Sequence, residues 1–388
     1  MCGVRNQFVK TAMFWVLLAL TFLANALAGD EDLSKRMEIY LEKNEEHGFS
    51  GVVFIAEKEE IIFANGYGYS DRENEISNDI ETVFDIGSLT KQFTGAAILK
   101  LVEQRKLNTQ DTLGDIFPDI PEDKRNITIH QLLTHTAGFP QFSGKDYDFV
   151  ETQIFQQDVF GMELVSLPGE KFDYSNVGYS ILGLVIEKIS GREYEAFLQE
   201  HIFGPAGMQN TGYLIPDWKL KNIAQGYDYG NNNVWGTNLE RWAEDGGVAW
   251  HLKANGGIMS TVEDMYRWHV ALEAHSVLPP ALKAQYEAPH VDAGNGQFYG
   301  YGWRNIKTSG DKLILAHNGS NYIFFAAMMR FVDDERVAIF MTNEGRQDVF
   351  VMSREIIRMM TRPDYEPALI SKPSLSSRLQ MKLKRLGL

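Results

Sequence analysis

Ser88 and Lys91 stand three residues apart where a strand-like run, residues 82–86, passes through Gly87 into a stretch with helical spacing that continues to Lys106. Residues three apart share one face of a helix, so the Lys91 amine lies within reach of the Ser88 hydroxyl. Unpaired N–H groups at a helix start favour developing negative charge. An alcohol beside an amine is a nucleophile with its own base, once burial or a neighbouring cation lowers the amine's pKa.

The spacing alone does not single out this pair. Ser309 and Lys312 repeat it, but in a polar turn before the strand-like run 313–316 with no helix behind, which reads as hairpin punctuation. By itself Ser88 is equally an ordinary helix N-cap. Two further elements separate the readings. Tyr174-Ser175-Asn176 follows the turn-rich approach 167–173 and precedes a buried-type helix over 177–189. A phenol at a helix start can stand beside a reaction centre. His317-Asn318-Gly319 closes a strand over 312–316, where a glycine lets substrate approach the backbone closely. Tyr229-Gly230-Asn231 also matches Tyr-x-Asn, yet it lies in a Gly/Asn-rich loop with no helix behind it. Order and structural context carry the reading, because each motif alone is weak.

Ser-x-x-Lys, Tyr-x-Asn and His-x-Gly, in this order, resemble the penicillin-recognising serine hydrolases: class C β-lactamases, D,D-peptidases, D-aminopeptidases and related esterases. Leu132-Leu133-Thr134-His135-Thr136-Ala137-Gly138, Tyr301-Gly302-Trp303 and residues 256–261 look similar to the same group, and the resemblance spans about residues 48–360. It implies that Ser88 attacks a carbonyl to form an acyl-enzyme, with Lys91 and Tyr174 sharing the proton traffic. It further implies that Asn176 binds a substrate amide. His317 would hold Tyr174 by a hydrogen bond and, when protonated, touch a substrate carboxylate. The backbone N–H groups of Ser88 and Ser320 would form the oxyanion hole beside Gly319.

Two departures bear on the substrate. His-x-Gly replaces the Lys-Thr-Gly of many relatives, removing a permanent positive charge, which weakens the case for a β-lactam or C-terminal carboxylate substrate and leaves esters or amide peptides open. Residues 320–325, Ser-Asn-Tyr-Ile-Phe-Phe, imply a bulkier rim. The other histidines read as structural. His130 and His135 are five positions apart, off the i, i+4 spacing of a helical metal pair, and His251, His269, His275 and His290 lack nearby ligand partners. Acyl transfer needs no metal and no cofactor. Phosphate-loop and dinucleotide fingerprints are absent from the sequence, and the body is too acidic to track nucleic acid.

A chain of 388 residues with 44% hydrophobic content is ample for a large core. Arg5 and Lys10 precede the apolar run 12–23, and Ala26-Leu27-Ala28 supplies small residues before Gly29, so residues 1–28 read as a cleaved signal peptide. The alternative is an uncleaved anchor, against which stand the shortness of the run and Asn25. Cleavage would take the formal charge from -15 to -17 and remove Cys2, the only cysteine. Export without a disulfide fits a secreted or periplasmic protein. Residues 363–388 form a basic tail whose leucines at 375, 379, 383 and 386 fall at helical spacing. Either it makes peripheral membrane contact or it frays against the acidic body.

The positioning elements follow from periodicity. A helix over 32–46, a hairpin of strands 50–56 and 60–65, strands 312–316, 324–331 and 336–341, and a helix over 348–360 frame a mostly helical middle. The predicted fold is α+β and β-lactamase-like. An antiparallel sheet from residues 29–87 and 300–362 would be flanked by terminal helices, with a helical part over 88–299, all in one hydrolase domain. The site would lie at the seam and take a small-molecule or peptide substrate. A penicillin-binding sensor or a non-catalytic binding protein on the same fold is the alternative.

Overall fold

In the strand Gly51–Glu57 the residues before Glu57 form an unbroken apolar run whose side chains are buried on both faces. Val52, Phe54 and Ala56 enter one core, while Val53 and Ile55 enter a second. A strand of this kind belongs in the middle of a sheet covered on both sides. The structure, a computed structural model, describes residues 32–228, 233–308, 310–346 and 349–372. Residues 1–28, Tyr229-Gly230-Asn231, Ser309, Asp348 and the tail from 373 lie outside the described residues.

In chain order, the elements that position the site are α1 (residues 32–45), β1 (Gly51–Glu57), β2 (Glu60–Tyr67), α2 (Thr90–Glu103), α3 (Asn176–Ser190), α4 (Val262–Glu273) and α5 (Pro280–Glu287). There follow β3 (Val291–Asp292), β4 (Gln297–Tyr299), β5 (Arg304–Lys307), β6 (Leu313–Ser320), β7 (Phe325–Phe331), β8 (Arg336–Thr342) and α6 (Val349–Thr361). The eight strands form one antiparallel sheet in the order β2-β1-β8-β7-β6-β5-β4-β3. Leu33, Met37 and Leu41 of α1 and Met352, Ile356 and Met359 of α6 cover one face. The helical middle covers the other, with α2 buried along most of its length and packed against α3. Arg330 of β7, 2% exposed, ties the sheet to this side through ion pairs with Glu273 of α4 and Glu287 of α5. The α+β architecture expected from the element order is the one found.

Three boundaries differ. The sheet begins at Val291 rather than at 300, because the short strands β3 and β4 extend it beyond β5. Strand β6 does not end at Ala316. It stays paired with β7 through His317↔Met328 to Ser320↔Phe325, so His317, Gly319 and Ser320 sit inside a strand. Nor does the chain leave the body at 363. Tyr365 O accepts from Arg36, Ile370 N donates to Asn44 Oδ1 at 2.9 Å, and Ile370 is buried, so the segment through Ser371 docks against α1. No helix among the described residues is long and apolar enough to cross a membrane.

The pleat then sets the seam. Leu315 faces the helical side, and a period of two puts His317 and Gly319 on that same face. A Cβ on Gly319 would lie 2.0 Å from Ile86 O and 2.5 Å from Ser88 N, and one on Gly87 would lie 2.6 Å from Ser320 N. Gly87 also has φ +49, in the left-handed region. The two glycines let the turn before α2 press its backbone onto β6. The glycine expected to admit substrate therefore first admits the Ser88 turn. Gly319→Ala is expected to destabilise the fold by about 1–3 kcal/mol and to cut turnover by parting the Ser88 turn from β6. Urea denaturation and hydrolysis assays check this, and a variant with parental stability would contradict it.

Candidate active site

Helix α2 is entered through the 3₁₀ turn Gly87–Leu89, and this turn presents Ser88, half-buried, to the seam. Asp85 shapes the entry. Its carboxylate accepts from Gly87 N at 2.7 Å, Asn238 Nδ2 at 2.9 Å and Asn321 Nδ2 at 2.8 Å. Burial nevertheless raises its pKa to about 6, with the Asn238 hydrogen bond opposing. The Asp-x-Gly spacing, a carboxylate turning back on the second N–H ahead, was the local signal for it.

Lys91, one turn into the helix, is fully buried. Its Nζ lies 3.1 Å from Ser88 Oγ, 2.7 Å from Asn176 Oδ1 and 2.7 Å from the carbonyl oxygen of Asn255. Burial lowers its pKa well below the ordinary lysine value, and the Asp146 carboxylate opposes this. Three acceptors saturate an ammonium. A neutral amine has two donors for Asn176 and Asn255 and one lone pair for the Ser88 O–H. The geometry thus suits the form that burial favours.

Ser175 caps α3, accepting from Gly178 N at 3.0 Å, which fixes Tyr174 and Asn176 on either side of the cap. Burial raises the Tyr174 phenol to about 12, while a hydrogen bond with Ser88 and the Arg304 charge pull it down. Lys91 Nζ stands 4.9 Å from the Tyr174 ring centroid. Asn176 was expected to meet a substrate amide. Its oxygen is taken by Lys91, which leaves its N–H groups for a substrate carbonyl.

His317 lies at the site, its ring centroid 6.3 Å from that of Tyr174, but its hydrogen bonds go elsewhere. Its Nδ1 is 2.8 Å from the Asn318 carbonyl, which can only accept, so Nδ1 carries the proton. Its Nε2 then accepts from the Tyr299 hydroxyl at 2.9 Å. Tyr299, delivered by β4, is the partner that sequence order concealed. Burial, then the charges of Lys91 and Arg304, lower the His317 pKa to about 3. A protonated His317 touching a carboxylate is therefore set aside for neutral conditions. Arg304, on the neighbouring strand β5, supplies the positive field that a lysine in the third motif would have given.

The rim is slimmer than expected. Asn321 Oδ1 accepts from Ile323 N at 3.0 Å and Phe324 N at 2.7 Å, folding the turn so that Phe324 and Phe325 are buried. Of its bulky side chains Tyr322 projects, 84% exposed. His130 bonds the Tyr301 hydroxyl away from the cleft, whereas His135, read from the sequence as structural, lies against Tyr174 with ring centroids 4.3 Å apart. Among the described residues no group of three or more His, Cys, Asp or Glu could hold a metal ion.

A family model described as beta-lactamase matches residues 30–357. Penicillin-binding protein 4* of Bacillus subtilis (strain 168) is 28% identical over 316 residues, covering 77% of this chain and 69% of that protein. Protein flp of Staphylococcus aureus (strain MW2) is 27% identical over 291 residues, covering 69% of this chain and 54% of that protein. The chain thus spans only about half to two-thirds of these relatives' own length. The octameric penicillin-binding protein homologue from Pyrococcus abyssi shares the fold with a TM-score of 0.73 at 24% identity, over 84% of this chain and 77% of that one. The fold is β-lactamase-like, as the motifs implied, and this chain belongs to the beta-lactamase family, the penicillin-recognising serine hydrolases.

Proposed function

We propose that this protein is an exported hydrolase that forms an acyl-enzyme on Ser88, acting on a D-amino-acid peptide, an ester or a β-lactam. The observation that carries the reading is the fully buried Lys91 amine 3.1 Å from Ser88 Oγ. Neutral Lys91 takes the Ser88 proton as the oxygen attacks the substrate carbonyl carbon. The carbonyl oxygen, now an alkoxide, is received by the N–H groups of Ser88 and Ser320, which the Gly87–Gly319 contact draws together. Tyr174 protonates the leaving nitrogen or oxygen as the bond to it breaks, and the Lys91 ammonium restores the phenol's proton. Water repeats the sequence on the acyl-enzyme and frees Ser88.

Arg304 enlarges the substrate set again. Its charge reaches Tyr174 and His317, so an acyl donor bearing a carboxylate meets a positive field despite the missing lysine. Esters and amides remain equally compatible with the cleft. Export rests on the basic and apolar composition of residues 1–28.

Ser88→Ala is expected to abolish hydrolysis of an activated ester while leaving the circular dichroism spectrum unchanged. Lys91→Ala and Tyr174→Phe each lower kcat by about 10²–10⁴-fold. Parental turnover in the Ser88 variant would overturn the assignment. The pH profile carries a second expectation. Because the base must be unprotonated, kcat/KM rises with pH through the Lys91 pKa, at a midpoint well below the ordinary lysine value. His317, neutral above about 3, contributes nothing to that limb, so His317→Gln leaves its midpoint in place. A midpoint that moves in this variant contradicts the neutral assignment.

A further inference from the structure

We infer that His135 is the positioning residue for Tyr174, gripping the backbone on both sides of the phenol and packing against its ring. The inference rests on the catalytic reading above and assigns the part that holds one of its members in place.

The grip starts from an unusual backbone. The helix Ile129–Leu133 stops at Thr134, and His135 follows with φ +58, a conformation that costs a non-glycine residue and persists only where its surroundings enforce it. Thr136 N donates to Gln131 O at 2.8 Å and closes this turn. In this pose the His135 carbonyl accepts from Asp173 N at 2.8 Å, and its Nδ1 accepts from Ser175 N at 3.0 Å. The peptide N–H groups immediately before and after Tyr174 therefore both end on one residue. Between them the two rings pack with centroids 4.3 Å apart, tilted by 35°. Translation along the chain and tilt of the phenol are restrained together.

The imidazole is not there merely to fill space. Because Nδ1 accepts, the proton resides on Nε2, and that buried N–H has no hydrogen-bond partner among the described residues. Around it stand the rings of Phe172, Tyr179 and Tyr299. A phenyl ring would sit in this aromatic box without an orphaned N–H, but it offers no acceptor to Ser175. The acceptor at Nδ1 is what the imidazole contributes. Its neutral form is secured by burial, with the Arg304 charge acting in the same direction, and together they hold it well below the usual imidazole range. The titratable groups facing it are thus Lys91, His317, Arg304 and the phenols of Tyr174, Tyr179 and Tyr299.

The test is a double-mutant cycle on the full chain, with His135→Ala and His135→Asn each made alone and with Tyr174→Phe. Asparagine suits the test because its Oδ1 can take the place of Nδ1 and it tolerates the left-handed conformation. His135→Ala is expected to lower kcat by about 100-fold with little change in KM, since the phenol is displaced while the binding groups stay. His135→Asn keeps kcat within about tenfold of the parent, because the Ser175 bond survives. In the Tyr174→Phe background either change costs less than about twofold more, since the group being positioned is gone. Equal fold-losses in the two backgrounds overturn the inference alone. Equal kcat in the Asn and Ala variants, both with parental thermal midpoints, also overturns it. If His135→Ala does not fold, the Asn variant against the parent, in both backgrounds, decides by the same criterion. Parental turnover in Tyr174→Phe itself would instead overturn the catalytic reading on which the inference stands.

Discussion

Two backbones press together at the heart of this molecule, at a place where neither could carry a side chain. The turn holding Ser88 meets strand β6 at Gly87 and Gly319, and a single Cβ on either would overlap backbone atoms of the other. Much else follows from that approach. It brings the Ser88 and Ser320 N–H groups to one spot, it aligns His317 with the cleft through the pleat of β6, and it fixes where α2 starts. Asp85 reinforces the contact from below by joining the turn to Asn238 and Asn321, one on the helical side and one just past β6. Chemistry at the seam therefore depends on sheet and helices being held in register. The buried Arg330 with Glu273 and Glu287 secures that register at the other end of the same face.

Burial is the second organising force. In water the Lys91 amine would be an ammonium with no lone pair to offer. Enclosed by α2, α3 and the Asn255 turn, it loses its solvation and is pushed toward the neutral amine. The same desolvation raises Tyr174 and lowers His317, so environment rather than residue type sets which of these groups holds its proton. Tyr299 and His135 complete this arrangement by fixing which nitrogen of His317 is occupied and where the phenol stands. Neither residue carries charge into the site, and both act through a neighbour.

The order and context of weak motifs pointed to Ser88, Lys91, Tyr174 and Asn176 at strand-to-helix or loop-to-helix junctions that punctuation and periodicity reveal, and the fold brings these four side chains together. The covered sheet was legible from element order, since strands from both chain ends with terminal helices and a helical middle form one α+β sheet. What escaped depended on pairing between distant segments. His317-Asn318-Gly319-Ser320 looks like a polar strand exit, yet β7 supplies partners for every one of those residues. Tyr299 and Arg304 carried no local signal, because only the sheet order places β5 beside β6 and β4 beyond it. Likewise residues 363–371 read as the start of a tail, although the Arg36 and Asn44 side chains of α1 hold the backbone at Tyr365 and Ile370.

The most direct test is a crystal structure of the protein trapped with a slowly hydrolysed acyl donor. The account predicts a covalent bond to Ser88 Oγ, with the acyl oxygen within hydrogen-bonding distance of both Ser88 N and Ser320 N and Lys91 Nζ still beside the ester oxygen. An adduct on any other residue, or an acyl oxygen turned away from that pair of N–H groups, would contradict it.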